Sequence, residues 1–304
     1  MIAKFFNKTK PMNTLIELVL LAIFFLFTFL NDVASIEVST IFYRLFLLLI
    51  VLLSLFLTNF IVRKNSLSKK NSYVILLFVL FVGMFPSTML SKEILLSNFF
   101  LLIAYRRIYS LRSQKNTTEK LFDSAFWIGV ATVIHPWCIL FVFLIYSTLS
   151  AFNKLTLRNA IIPLVGVITP LFLYGVYLYV TDQFTNEAFQ LLYGLDFSKY
   201  NSLSIVVPLA LVLGMLLWTV IPTTFQIISV NNEFRASWSV LIANLVLSIV
   251  IIILSPIKNG SEFLFMFFPV SVVLTNYLER VKEKWFKEVF LYLFVAVTIT
   301  VYFL

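Results

Sequence analysis

The sequence predicts an all-α, polytopic transmembrane helical bundle, and three observations carry that prediction. Hydrophobic residues fill 61% of the 304 positions and charged residues only 12%. Soluble domains hold about 45–50% and about 25% respectively, so this chain lacks the polar surface to cover itself in water. Apolar runs of roughly 20 residues, each able to cross a hydrocarbon core of about 30 Å, recur along its whole length, and mean hydropathy is +1.00. These runs do not alternate: VLLAIFFLFTFL at 19–30 has no polar face. That excludes a closed barrel, the other way to satisfy backbone groups in lipid.

Taken in order, the apolar segments lie near 14–30, 41–62, 73–90, 94–105, 124–152, 160–180, 203–228, 238–256, 262–278 and 288–304. The first follows a basic stretch (Lys4, Lys8, Lys10), as in a signal peptide. No A-x-A cleavage pattern comes after it, so it is read as a retained helix. Lys and Arg then fix the topology, because they collect in cytoplasmic loops. If 124–152 were one helix, Lys154, Arg158 and the basic wing at 279–288 would fall outside, and the acidic stretch at 181–202 would fall inside. Two short helices broken at His135-Pro136 reverse every later loop. Of the 23 Lys and Arg, all but Arg44, Lys92, Lys199 and Lys258 then face the cytoplasm. The result is about eleven crossings in one integral membrane domain, 1–304, with the N-terminus cytoplasmic and the C-terminus outside. Proline suits the break because it removes a donor and clashes with the preceding turn. The two pieces, of about 12 and 16 residues, would rise only about 18 and 24 Å. With the short segment 94–105, they predict three consecutive short helices, a cavity open to the outer face and His135 at the tip of a turn.

Several function classes drop out. A net charge of +9 follows from the positive-inside bias and calls for no nucleic acid. One cysteine, Cys138, excludes an intrachain disulfide and a thiol-rich metal site, and one histidine excludes HExxH. No Walker loop, GxGxxG or GxSxG is present, so the residues by themselves predict no metal site. The polar groups of the outer face remain: Asp32, Glu37, Lys92, Glu93, His135, Asp182, Glu187, Tyr193, Asp196, Lys199, Tyr200 and Glu262. A carboxylate in a recessed cleft can act as general base on an acceptor. Lys92, Arg44 or His135 can hold an anionic phosphate leaving group. Each residue has a plainer role beside this one. Asp32 and Glu37 would be solvated loop residues, Lys92-Glu93 an interfacial anchor, and His135 a partner of its own turn's backbone. Arg106-Arg107 faces the cytoplasm, where anionic lipid attracts it.

With these residues in view, the section 32–180 resembles the membrane core of GT-C glycosyltransferases, a likeness that extends over 14–180 and leaves the helices of 203–304 as additions. In that family an acidic residue follows the first helix and another stands near the start of the fourth. A basic cytoplasmic turn and a short helix pair broken at the outer face come next. The corresponding residues are Asp32 or Glu37, then Glu93, the basic run from Arg106, and GVATVIHP. The resemblance implies transfer from a polyprenyl-phosphate sugar on the outer face of a bacterial inner membrane. Asp32 or Glu37 would be the base, Glu93 would assist or help hold a divalent ion, and Lys92, Arg44 and His135 would steady the donor phosphate. The chain is also similar to small inner-membrane proteins of Bacteroidota, which implies no activity. Two other readings stand beside it: a non-catalytic subunit of an envelope assembly, packed against other membrane proteins, and a transporter or flippase. Midplane charges and internal repeats mark the latter class, and neither is clear here.

Overall fold

A computed structural model of the chain describes residues 2–32, 38–113, 115–183, 193–230 and 232–304, and its regular elements are all helical. They are α1 (Ile2–Phe6), α2 (Pro11–Asp32), α3 (Val38–Lys64), α4 (Tyr73–Met84), α5 (Lys92–Tyr109), α6 (Thr117–Ile134), α7 (Val142–Ala151), α8 (Leu157–Val180), α9 (Leu203–Val230), α10 (Asn232–Leu254), α11 (Leu264–Arg280) and α12 (Lys284–Val301). Seven of them (α2, α3, α5, α8, α9, α10 and α11) are long and apolar enough to cross a membrane. The chain is therefore built as an integral membrane protein.

Burial separates central from peripheral helices. A helix that is apolar all round is either buried in protein or faces lipid, and in α4, YVILLFVLFVGM, every side chain is buried. In α11 94% of the apolar window is buried, against 22% in α9, so α11 is central and α9 peripheral. Aromatic rings fill the space between α4 and α11: Phe267 meets Phe78, Phe81 and Phe85 at centroid distances of 6.1, 5.6 and 5.8 Å. Across α10, the Asn244 amide donates to the Tyr109 hydroxyl at 3.3 Å and Ser248 to the Phe265 carbonyl at 3.0 Å. Between α6 and α8 small residues bring the backbones together, as in many lipid-embedded pairs. A Cβ at Gly129 would lie 2.4 Å from Pro170 Cγ and 2.9 Å from the Val167 carbonyl oxygen. Gly129→Val is expected to destabilise by about 1–3 kcal/mol. Chemical unfolding in detergent checks this, and an unchanged midpoint would refute the close packing.

The break predicted at His135-Pro136 is present. α6 stops at Ile134, His135 turns to φ −131° and ψ 99°, and its N–H still reaches the Ala131 carbonyl at 2.8 Å. A 3₁₀ turn over Pro136–Phe141 then leads into α7. Three expectations need correction. α5 is not a short helix: it runs 18 residues and, with the following turn, gives the apolar span Lys92–Arg112. α6 begins at Thr117, because the solvated charges Glu119, Lys120 and Asp123 continue the helix below its apolar part. The piece after the break is a 3₁₀ turn plus only ten helical residues, since Pro136 at its first position gives the i→i+3 pattern of Cys138 N–H to His135 O at 2.9 Å.

The basic loops share one end of the bundle. Lys154, after α7, donates to the carbonyls of Leu111 and Ser113 at 2.6 and 2.7 Å, which places the chain after α7 back beside the turn that precedes α6. Burial, and then Lys120 nearby, pulls the Lys154 ammonium below its ordinary range. Asn276 at the end of α11 donates to the Leu67 carbonyl at 2.8 Å, and Glu279 accepts from the Lys69 N–H at 2.8 Å and from Asn71. Tyr73 donates to the Ala3 carbonyl at 2.6 Å. We call this the basic end. At the opposite, far end the Thr28 and Tyr302 hydroxyls lie 3.3 Å apart, and Phe85 packs on Phe263 at 4.9 Å.

Candidate functional site

The far end is organised around the turn Pro86–Met89. α4 stops just before it because Pro86 biases Phe85 away from helical backbone. The turn packs against α2, α3, α5 and the short 3₁₀ turn Ser261–Phe263 that opens α11. These are the elements that carry Asp32, Arg44, Lys92, Glu93 and Glu262. Lys92 and Glu93 occupy the first turn of α5 and are exposed. Glu93 is favoured there by the helix dipole. Arg44 is half-buried in α3. Asp32 is the last residue of α2, its side chain being outside the described set, and Glu37 and Glu187 lie outside the described residues. Asp182 and Tyr193 are exposed.

His135 differs from expectation. Instead of standing at an open tip, it is 3% exposed, with its ring 5.3 Å from that of Phe265 in α11. The long apolar α11 runs past the break and covers it. No hydrogen bond or ion pair joins His135 to Lys92 or Glu93, and Nε2 has no partner among the described residues.

The sequence did not single out the best-formed polar cluster at this end. α10 stops at Leu254 before Ser255-Pro256. In the loop that follows, Lys258 folds back to donate to the Ile252 carbonyl and to that of Ile253 at 2.8 Å. Cations suit the C-terminal carbonyls of a helix. Lys258 also lies 4.9 Å from the centre of the Phe197 ring. Burial draws its ammonium below the ordinary lysine range, and Glu262 acts in the opposite sense. Gly260, at φ 90°, then turns the chain, a conformation that glycine adopts without steric cost. Two residues on, Glu262 is fully buried, accepts the Tyr200 hydroxyl on Oε1, and has no partner for Oε2 among the described residues. Burial and then Glu262 hold the Tyr200 phenol well above its usual range. Asp196 takes no part: it is exposed and accepts the Ser198 N–H at 2.9 Å, which with Lys199 keeps its carboxyl low. A second buried acid, Glu17 in α2, lies at 2% exposure within electrostatic reach of Arg63 towards the basic end. Among the described residues no three His, Cys, Asp or Glu side chains gather as a metal ion would need.

Residues 8–304 match the profile of a family of unknown function, DUF6427. The chain belongs to that family. No curated protein and no solved structure matches it. The match runs from before α2 to the end of α12 and so spans the far-end turn, the broken helix pair and the Glu262 cluster. Chemically, this end offers an exposed acid and base side by side at Lys92-Glu93, a further acid at the end of α2, and a buried carboxylate with one oxygen to spare.

Proposed function

We propose that this DUF6427 protein is a GT-C-like inner-membrane protein that handles a polyprenyl-phosphate-linked sugar at the extracytoplasmic face, as a glycosyltransferase. What supports the reading is the turn Pro86–Met89, which packs against α2, α3, α5 and the 3₁₀ turn that opens α11, the first three of which carry Asp32, Arg44, Lys92 and Glu93. In the topology that goes with it, the basic end is cytoplasmic, the helices from α2 onward make eleven crossings, and the C-terminus lies outside. The return of Lys154 to the α5–α6 turn supports counting α6 and α7 separately.

In this reading Asp32 or Glu37 takes the proton of the acceptor hydroxyl. The acceptor oxygen bonds to the anomeric carbon as the bond from that carbon to the phosphate oxygen breaks. Polyprenyl phosphate leaves carrying the electron pair, and Lys92 and Arg44 offset its developing charge. Glu93 assists, or helps to hold a divalent ion. His135, buried against Phe265, is assigned no step. Deleting the protein is expected to make one polyprenyl-linked sugar accumulate, read by mass spectrometry of extracted lipids against the parent strain. An unchanged lipid profile would remove the transferase reading and leave a packing subunit of an envelope assembly, whose test is a stoichiometric partner on purification.

A further inference from the structure

On the other face of the molecule, near the basic end, α3, α5 and α6 enclose a groove of about 1040 Å³ that no step of the proposed chemistry uses. That volume lies at the top of the range for small-molecule sites, about 300–1,000 Å³. Its lining is graded in one direction. Along α3 it passes from Leu53 and Phe56 through Phe60 to Arg63 and Lys64, and along α5 from Phe99 through Ile103 to Arg106. Each series covers seven or more residues, or about 10 Å of helix or more. Trp127 of α6, stacked on Phe100 at 5.5 Å, closes the apolar side.

The cations at the mouth are held close to one another. Lys64 Nζ and Arg106 Cζ lie 5.3 and 5.1 Å from the centre of the same Phe60 ring, although they come from different helices. Arg107 spends its charge on Asp123 at 2.7 Å. Arg63, Lys64 and Arg106 form no ion pair among the described residues, and the acid nearest to Arg63 electrostatically is the buried Glu17. A basic residue in the last turn of a helix needs no ligand to explain it. Two of them over one aromatic ring, with Arg63 lining the same mouth of an apolar groove, repel one another unless an anion sits between them.

We propose that this groove binds an anionic phospholipid of the leaflet at the basic end, cytoplasmic in the orientation given above. The phosphate lies between Arg63, Lys64 and Arg106, and an acyl chain runs along Phe56, Leu53 and Phe99. Charge complementarity fixes the headgroup, and the apolar gradient fixes its direction. Interfacial aromatic and cationic groups of this kind mark the headgroup level.

The test is native mass spectrometry of the full chain in detergent with equimolar dioleoylphosphatidylglycerol and dioleoylphosphatidylcholine. The wild type is expected to retain the anionic lipid about tenfold over the neutral one. The triple variant Arg63→Gln, Lys64→Gln, Arg106→Gln should lose that preference. The charge-matched control Arg158→Gln, Lys282→Gln, Lys284→Gln, at the same end but outside the groove, should keep it. If the triple variant does not fold, the exposed single variants Lys64→Gln and Arg106→Gln carry the test, each with an expected loss of about threefold. No preference in the wild type, or an equal loss in the control, overturns the proposal. So does loss of the preference in millimolar inorganic phosphate, which would mean that the site reads the free anion. The readout involves no sugar transfer, so its failure leaves the transferase reading untouched.

Discussion

Alanine at both Asp32 and Glu93 is expected to abolish correction of the lipid profile in a deletion strain, with protein level unchanged. The magnitude follows from the roles. A positioned general base contributes about 10²–10⁴-fold to the rate, and loss of Glu93 removes the acid that assists it. Neither substitution should unfold the chain. Glu93 is exposed in the first turn of α5, so its removal creates no cavity, and Asp32 is the last residue of its helix. A second comparison separates chemistry from charge. Asp32→Asn with Glu93→Gln keeps shape and removes only the ionised oxygens, and it should fail as completely as the alanine pair. The assay is polyprenyl-linked sugar by mass spectrometry, normalised to immunodetected protein. A double variant that restores the parental profile would strip Asp32 and Glu93 of their roles.

The fold was legible where charge and proline wrote it. His135-Pro136 could be read as a break because the alternative placed Lys154, Arg158 and the 279–288 wing against the positive-inside bias. In the structure Lys154 does return to the Leu111 and Ser113 carbonyls. Helix ends were less legible. Glu119, Lys120 and Asp123 are excluded from any apolar window, yet they continue α6 because solvated charges at a helix end cost little helical propensity. The burial of His135 was hidden for another reason. Turns ordinarily meet solvent, and only the path of α11, settled by packing 130 residues further along the chain, brings Phe265 over the ring. Glu17 was invisible because one acid vanishes in the average of the apolar run around it. The pairing of Tyr200 with Glu262 joins positions 62 residues apart, and no local pattern signals it. Both residues belonged to the outer-face polar inventory, but nothing in the sequence said that they meet.

Tyr200→Phe is expected to lower stability by about 1–3 kcal/mol, the cost of leaving a buried acceptor without its donor. The argument rests on Glu262: its side chain is fully buried, Oε2 already lacks a partner among the described residues, and the Tyr200 hydroxyl supplies Oε1. The ring of Tyr200 also packs at 5.3 Å on Phe263 and 5.7 Å from Phe197, and phenylalanine keeps those contacts. The change therefore reports the hydroxyl alone. Glu262→Gln should cost less than Tyr200→Phe, because the amide oxygen still accepts the phenol while no charge need be buried. Glu262→Leu alone leaves the phenol unpaired, but combined with Tyr200→Phe it removes both polar partners, and such replacements are often nearly neutral. Thermal midpoints of the four proteins in one detergent close a double-mutant cycle, with a coupling of at least about 0.5 kcal/mol expected. Strict additivity would mean that the two side chains do not share a proton-bearing hydrogen bond, and that Glu262 is satisfied by some other group. A full coupling would make Glu262 the anchor that fixes the start of α11 against the turn Pro86–Met89, and so the residue on which the geometry of the far end depends.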